Sequence, residues 1–237
     1  MVTVALIGPD GAGKSTVADQ VMASLPFPAR RIYMGVHLEA SSTMLPTTRL
    51  AMAVKHARGG GDMSAWAGAP DATPKHRGPV ANVRAGLRMA NWIAEEWYRQ
   101  AVAAIEQRRG RVVVFDRHFF CDYYATDIAP RTGRRPMLRR IHGYNLRRLY
   151  PRPDLVILLD APAEVFFARK GEGTLESIEL RRQEYLAQAD MFRSFVIVDA
   201  RQPTDAVVAE VREAIVSFVR SGPPVRAAEA AHGGGSR

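Results

Sequence analysis

A single cysteine, Cys121, occurs in the 237 residues, so no internal disulfide can form and an oxidatively stapled fold is excluded. Lysine is scarce too, present only at positions 14, 55, 75 and 170. No apolar run approaches the length of a membrane span, and the first apolar stretch, VTVALIG, lacks a basic flank and a cleavage site. No repeat is visible. These absences lead us to expect a soluble, cytoplasmic protein without a targeting signal or membrane partner. The net charge of +9 is carried almost wholly by arginine. Because no compact block of basic residues interleaves with aromatics, we read the arginines as spread over solvated faces and disfavour a nucleic-acid partner.

The length suits one domain with an insertion. TVALI (3–7) is a short β-type run ending at Gly8, and Lys14 to Leu25 carries apolar residues at helical spacing. A second strand fits RRIYM (30–34). Over 35–79 periodicity is lost and Gly and Pro accumulate, marking a variable insertion. Val80 to Arg109 is the longest helical candidate, with apolar, aromatic and small positions from Leu87 through Asn91, Ile93 and Trp97 to Val102 and Ile105. Trp92 and Trp97 are expected to pack. RVVVFD (111–116), DLVILLD (154–160) and SFVIVD (194–199) read as buried strands, and a periodic helix follows the last. Strands alternating with helices predict an α/β fold around a parallel sheet covered on both faces. The stretch 221–237 is expected to be a disordered tail.

GPDGAGKS (8–15) matches G-x-x-x-x-G-K-[ST] between a strand and a helix, the order a P-loop (Walker A) requires. Gly8, Asp10, Gly11, Ala12, Gly13, Lys14, Ser15 and Thr16 then form a phosphate cradle for ATP. In it, backbone N–H groups and the helix N-terminus face the phosphates, and Lys14 serves the β and γ positions. The Ser15 hydroxyl is expected to bind Mg²⁺. The second strand-end, Asp116-Arg117-His118, places an arginine where many hydrolytic motors place a glutamate, which favours phosphoryl transfer between small molecules. The aspartate at position 10 is unexpected in a loop built for anions.

Together these residues resemble the thymidylate kinase family of P-loop phosphotransferases. The likeness rests on GPDGAGKST with an acidic third position and on Asp116-Arg117-His118, similar to the family's D-R-[YFH]. It extends to PDLVILLDAPAEVFFARK (153–170) and LESIELRRQEYL (175–186). It implies a P-loop NTPase fold with a five-stranded parallel sheet flanked by helices, over residues 1–220. The 35–79 region then lies on the acceptor side, and 170–176 forms a lid. It also implies transfer of the γ-phosphoryl of ATP with Mg²⁺. Lys14, Asp116, Arg117 and Arg169 take the catalytic positions, Ser15 and Asp116 the metal positions, and Asp10 faces an acceptor hydroxyl. Gly11 stands where some members carry an arginine. A homodimer is an open option.

The departures fall on the acceptor side, where the chain reads YMGVHLEASS after the second strand and FFCDYYATD at 119–127. The expected partner is therefore a nucleotide or nucleoside-like metabolite, with thymidylate itself in doubt. A phosphate monoester would need no general base. A nucleoside, sugar or antibiotic hydroxyl would need one, with Asp116 nearest and Asp10 next. Arg117 serves either as an anion clamp or as the partner of a structural carboxylate. Among Arg169, Lys170, Arg181 and Arg182 at least one is expected to reach the phosphoryl group, although Arg181 and Arg182 also suit pairing with Glu179 or Glu184. His118 suits packing, and Asp160 a helix entry. The alternative class is a nucleotide-binding regulatory module that has lost transfer.

Overall fold

The computed structural model describes residues 2–35, 43–49, 79–130 and 135–221. Five strands form one sheet: β1 (Thr3–Ile7), β2 (Ala29–Tyr33), β3 (Val112–Asp116), β4 (Leu155–Asp160) and β5 (Phe195–Asp199). Their order is β2-β3-β1-β4-β5 and every pairing is parallel. The helices are α1 (Lys14–Ser24), α2 (Pro79–Arg108), α3 (Phe119–Tyr123), α4 (Met137–Arg148), α5 (Ala163–Lys170), α6 (Leu175–Leu186) and α7 (Thr204–Ser221). A π-helical turn, Tyr124–Ile128, continues α3. None of the described helices is long and apolar enough to cross a membrane.

The strands carry β-branched and aliphatic residues without polar alternation because both faces are covered. Val4, Leu6, Val114, Ile157 and Val198 face a core shared with α1 and α7, where Val17, Val21, Val211 and Ile215 meet them. Their neighbours Ala5, Ile7, Val113, Phe115 and Leu158 face the opposite core with Phe119, Phe120, Leu146, Tyr150 and Tyr185. The expected α/β parallel-sheet architecture is thus observed.

Helix α2 departs from its expected packing. Leu87 and Ile105 are 65% and 44% exposed, whereas Glu95, Glu96, Arg99, Gln100 and Glu106 are buried. The inward face is polar because it meets ion-pair partners as well as core. Arg99 donates from Nε and Nη2 to Glu95 Oε1, both at 3.2 Å, and from Nη1 to the carbonyls of Tyr33 and Gly35 at 3.1 and 3.0 Å. Glu95 Oε2 accepts from Leu45 N at 2.9 Å and Thr48 Oγ1 at 3.1 Å, fastening 43–49 to α2 and to the end of β2. Trp92 packs edge-on against Phe119, with ring centroids 5.8 Å apart, and Trp97 donates to Asn145 Oδ1 at 2.9 Å.

Two features have no counterpart in the sequence-based expectations, namely α4 and the π-turn before it. They enclose a buried ionic chain: His142 lies 2.8 Å from Glu96 Oε1 and 2.6 Å from Asp127 Oδ2, and Arg139 donates to Asp127 Oδ1 at 2.6 Å. The expected tail from 221 lies outside the described residues from 222 onward, and α7 includes Ser221. Of the expected insertion, the described residues include Gly35, 43–49 and Pro79; the rest lies outside them.

Candidate functional site

The carboxyl ends of the strands share one edge of the sheet: Leu6 pairs with Asp116, Tyr33 with Asp116, and Asp160 with Asp199. The chain leaves β1 toward β2 on one side, while β4 lies on the other. Open parallel sheets offer a crevice where the strand order reverses in this way. The 8–15 loop emerges there. Gly13, with φ 79°, precedes α1, and no side chain caps that helix, so its first N–H groups are left for an external anion. A Cβ on Gly13 would meet open space, whereas one on Gly11, with φ 88°, would sit 2.5 Å from the Phe166 carbonyl oxygen. The loop therefore needs glycine at 11 both for its backbone turn and for its contact with α5.

Lys14 is buried, and its ammonium donates to the Gly8 and Pro9 carbonyls at 2.8 and 2.6 Å. It has backbone partners and no carboxylate bound to it. Burial pushes it down to about 7, helped by the Arg117 charge. Ser15 Oγ donates to Asp116 Oδ2 at 2.9 Å, and Arg31 bonds the same oxygen while also pairing with Asp19. The other Asp116 oxygen, Oδ1, is buried without a hydrogen-bond partner.

That orphaned oxygen beside a serine hydroxyl is the donor set on which Mg²⁺ is tested. Mg²⁺ takes one or two protein oxygens and fills its octahedron with water and phosphate oxygens. Among the described residues no group of three or more His, Cys, Asp or Glu side chains could hold a metal. Ser15 and Asp116 therefore fit a metal that arrives with a phosphate ligand, and do not make a closed protein cage.

Arg117 has φ 71°, the one positive value outside glycine among the described residues. Such a backbone costs on the order of 1–3 kcal/mol and persists where the surroundings enforce it. Here the Arg117 amide is held by the Leu6 carbonyl at 3.0 Å, and the side chain bonds Asp10. Burial opposes charge on both groups, yet each partner prevails: Asp122 and Asp10 hold Arg117 above its ordinary value, and Arg117 with Lys14 holds Asp10 at about 2. Of the two roles open to Arg117, this geometry displays the paired one. It also gives the carboxylate at position 10 a partner.

Other candidates fall elsewhere. Arg169 donates to the Ala200 carbonyl at 2.8 Å, beyond β5, and is not joined to the loop cluster. The lid-side cation whose charge acts on Asp10 is Lys170, itself 2.8 Å from Glu172. The expected lid is a compact turn, closed by Gly171 with φ 67° at the end of α5 and by a Thr174–Ser177 capping box at the start of α6. Arg182 pairs with Glu179 but also grips Asp160 with two bonds of 2.7 and 2.9 Å. Asp160, the last residue of β4 before α5, is thus also a tether for α6; α5 itself begins after Pro162 without a side-chain cap. Burial among Phe115 and Tyr150 pushes His118 down to about 3, leaving it a neutral packing residue.

Sequence reasoning passed over Asp122. It lies on α3, only 9% exposed, and its Oδ1 accepts from the Tyr185 hydroxyl at 2.7 Å. Its charge acts on both Arg117 and Lys14. The available signal was its place in FFCDYYATD, one helical turn beyond Asp116-Arg117-His118. No protein-family model matches the chain, and no curated protein matches it significantly.

Proposed function

We propose that the protein is a P-loop phosphotransferase of the thymidylate kinase type. It moves the γ-phosphoryl of ATP to a small acceptor, a nucleotide or nucleoside-like metabolite. The observation that carries this reading is the meeting of Lys14, Ser15 and Asp116 at one loop, with one buried Asp116 oxygen lacking a partner. The loop N–H groups and Lys14 bind and orient the donor phosphates. Ser15 and Asp116 would hold Mg²⁺, which would supply neutralisation of the phosphate charge. Arg117, on a fixed backbone beside the loop, positions the acceptor relative to the donor.

Two features favour transfer over hydrolysis. The residue directly after Asp116 is arginine, where many hydrolytic motors place a glutamate. The adjoining wall, built from Asp10, Arg117 and Asp122, offers polar groups to a second ligand. Release of ADP from Mg·ATP, followed across nucleoside monophosphates, nucleosides and sugars, tests the proposal. One acceptor class is expected to raise the rate well above background, and Lys14→Ala should abolish the rise. ATP binding without acceptor-dependent release in any class would make the protein a nucleotide-binding module instead.

A further inference from the structure

Resting on the phosphotransferase reading, we propose that Asp122 is the proton acceptor of the transfer, and that the acceptor is a neutral hydroxyl compound and not a phosphate monoester. Three observations lead there.

The first is the disposition of the carboxylates. Asp116 is fully buried, with one oxygen taken by Ser15 and Arg31 and the other suited to the metal. Asp10 is bound to Arg117 and held at about 2, a poor base. Asp122 has its Oδ1 fixed by the Tyr185 hydroxyl and its backbone carbonyl fixed by Arg181 Nη1 at 3.0 Å. No donor among the described residues is bonded to its Oδ2. One carboxylate oxygen is thus oriented, and the other has no bonded donor among the described residues.

The second is the disposition of the cations. A dianionic acceptor needs positive charge that is not already spoken for. At this edge Arg117 is bound to Asp10, Arg31 to Asp116 and Asp19, Arg182 to Asp160 and Glu179, Arg181 to Glu184, and Lys170 to Glu172. Arg99 is spent on Glu95 and two carbonyls. Lys14 and Arg169 have no carboxylate bound to them among the described residues; Lys14 belongs to the donor loop, and Arg169 is bound to the Ala200 carbonyl beyond β5. Among the described residues, a phosphate monoester entering here would meet Asp10 and Asp122 beside cations paired with carboxylates. A hydroxyl would meet an acceptor for its hydrogen.

The third is placement beside the site. The Asp122 amide donates to the His118 carbonyl at 2.9 Å, so Asp122 stands in the first turn after the Asp116-Arg117 end of β3, the end at which Ser15 and Asp10 are bound. In the step, the acceptor oxygen bonds to the γ-phosphorus as the bond from that phosphorus to the bridging oxygen breaks. The electron pair leaves with ADP, and the hydroxyl proton goes to Asp122 Oδ2 and then to solvent. General-base assistance of this kind is worth about 10²–10⁴-fold.

The test compares wild type, Asp122→Asn and Tyr185→Phe with nucleosides and sugars in one arm and nucleoside monophosphates in the other. Calorimetric Mg·ATP binding serves as the folding control. The expected result is ADP release driven by hydroxyl acceptors, and a fall in kcat of about 10²-fold or more in Asp122→Asn with ATP affinity within a few-fold. Tyr185→Phe, which removes only the positioning bond, should fall less. Turnover with monophosphates alone would overturn this assignment while leaving the phosphotransferase intact, as would an Asp122→Asn kcat within a few-fold of wild type. Turnover with neither class would remove both.

Discussion

Asp10 looks misplaced in a loop proposed to bind phosphate until Arg117 is set beside it. The pair cancels locally, and Lys14 remains the cation in the loop that no carboxylate neutralises. The pairing also explains why the turn after β3 tolerates a strained arginine: its amide is bound to β1 and its side chain to the loop, so both ends resist relaxation. Gly35 belongs to the same arrangement. A Cβ there would sit 2.2 Å from the Tyr33 hydroxyl and 2.7 Å from Arg117 Cδ, and both are side-chain atoms that can move. Gly35→Ala should therefore fold, with a thermal midpoint close to wild type, but push Arg117 off Asp10. The expected kinetic result is a raised acceptor KM with the Mg·ATP Kd unchanged, read by steady-state kinetics and titration calorimetry. A changed ATP affinity with unchanged acceptor KM would place Arg117 on the donor side.

At the scale of elements, the α2–α4 contact is ionic where bundles and layers usually bury hydrocarbon. Glu96 from α2, Asp127 from the π-turn and Arg139 and His142 from α4 share it, with the Tyr123 ring 5.0 Å from the imidazole. Burial opposes a charged His142, but its bonds to Asp127 and Glu96 prevail and raise it to about 9. A raised histidine contributes stability in full below its unfolded value near 6.5 and loses it as pH climbs through about 9. Between pH 6.5 and 9.5, wild type should lose on the order of 3 kcal/mol more than His142→Gln in urea titrations. Equal losses would show that the imidazole is not charged in the fold.

The same contact shows why some elements are legible in sequence and others are not. Val112–Asp116 and Leu155–Asp160 announce themselves because strands covered on both faces need apolar residues at every position. The 8–15 loop is legible because its tight turn restricts its composition, as Gly11 shows with its positive φ and its approach to the Phe166 carbonyl. Helix α4 is not, because Arg139, His142 and Asn145 are buried, so its inward face reads as polar. On α2 the periodicity of Leu87 and Ile105 marks an exposed side for the same reason. Asp122 was hidden by its neighbours: in FFCDY it reads as an interruption of an aromatic run. Only the fold brings Tyr185, 63 residues away, onto its carboxylate.

At the scale of the whole molecule, the order β2-β3-β1-β4-β5 brings together groups that are distant in sequence. The ends of β1 and β3 place Ser15 against Asp116 across 101 residues, and Asp10 against Arg117 across 107. Helix α6, tethered to β4 by Arg182 and Asp160, closes the far wall with Tyr185. The 8–15 loop, the Ser15–Asp116 contact and the Asp122–Tyr185 contact are brought to one edge by a single parallel sheet with its crossing point at β1. The central claim is that this crossing point is a nucleoside triphosphate site. It is tested most directly by calorimetric titration with ATP, with and without Mg²⁺, of wild type and Lys14→Ala. The account predicts saturable one-to-one binding that tightens with Mg²⁺ and weakens at least tenfold in Lys14→Ala. Absence of binding, or equal affinity in the two proteins, would contradict it.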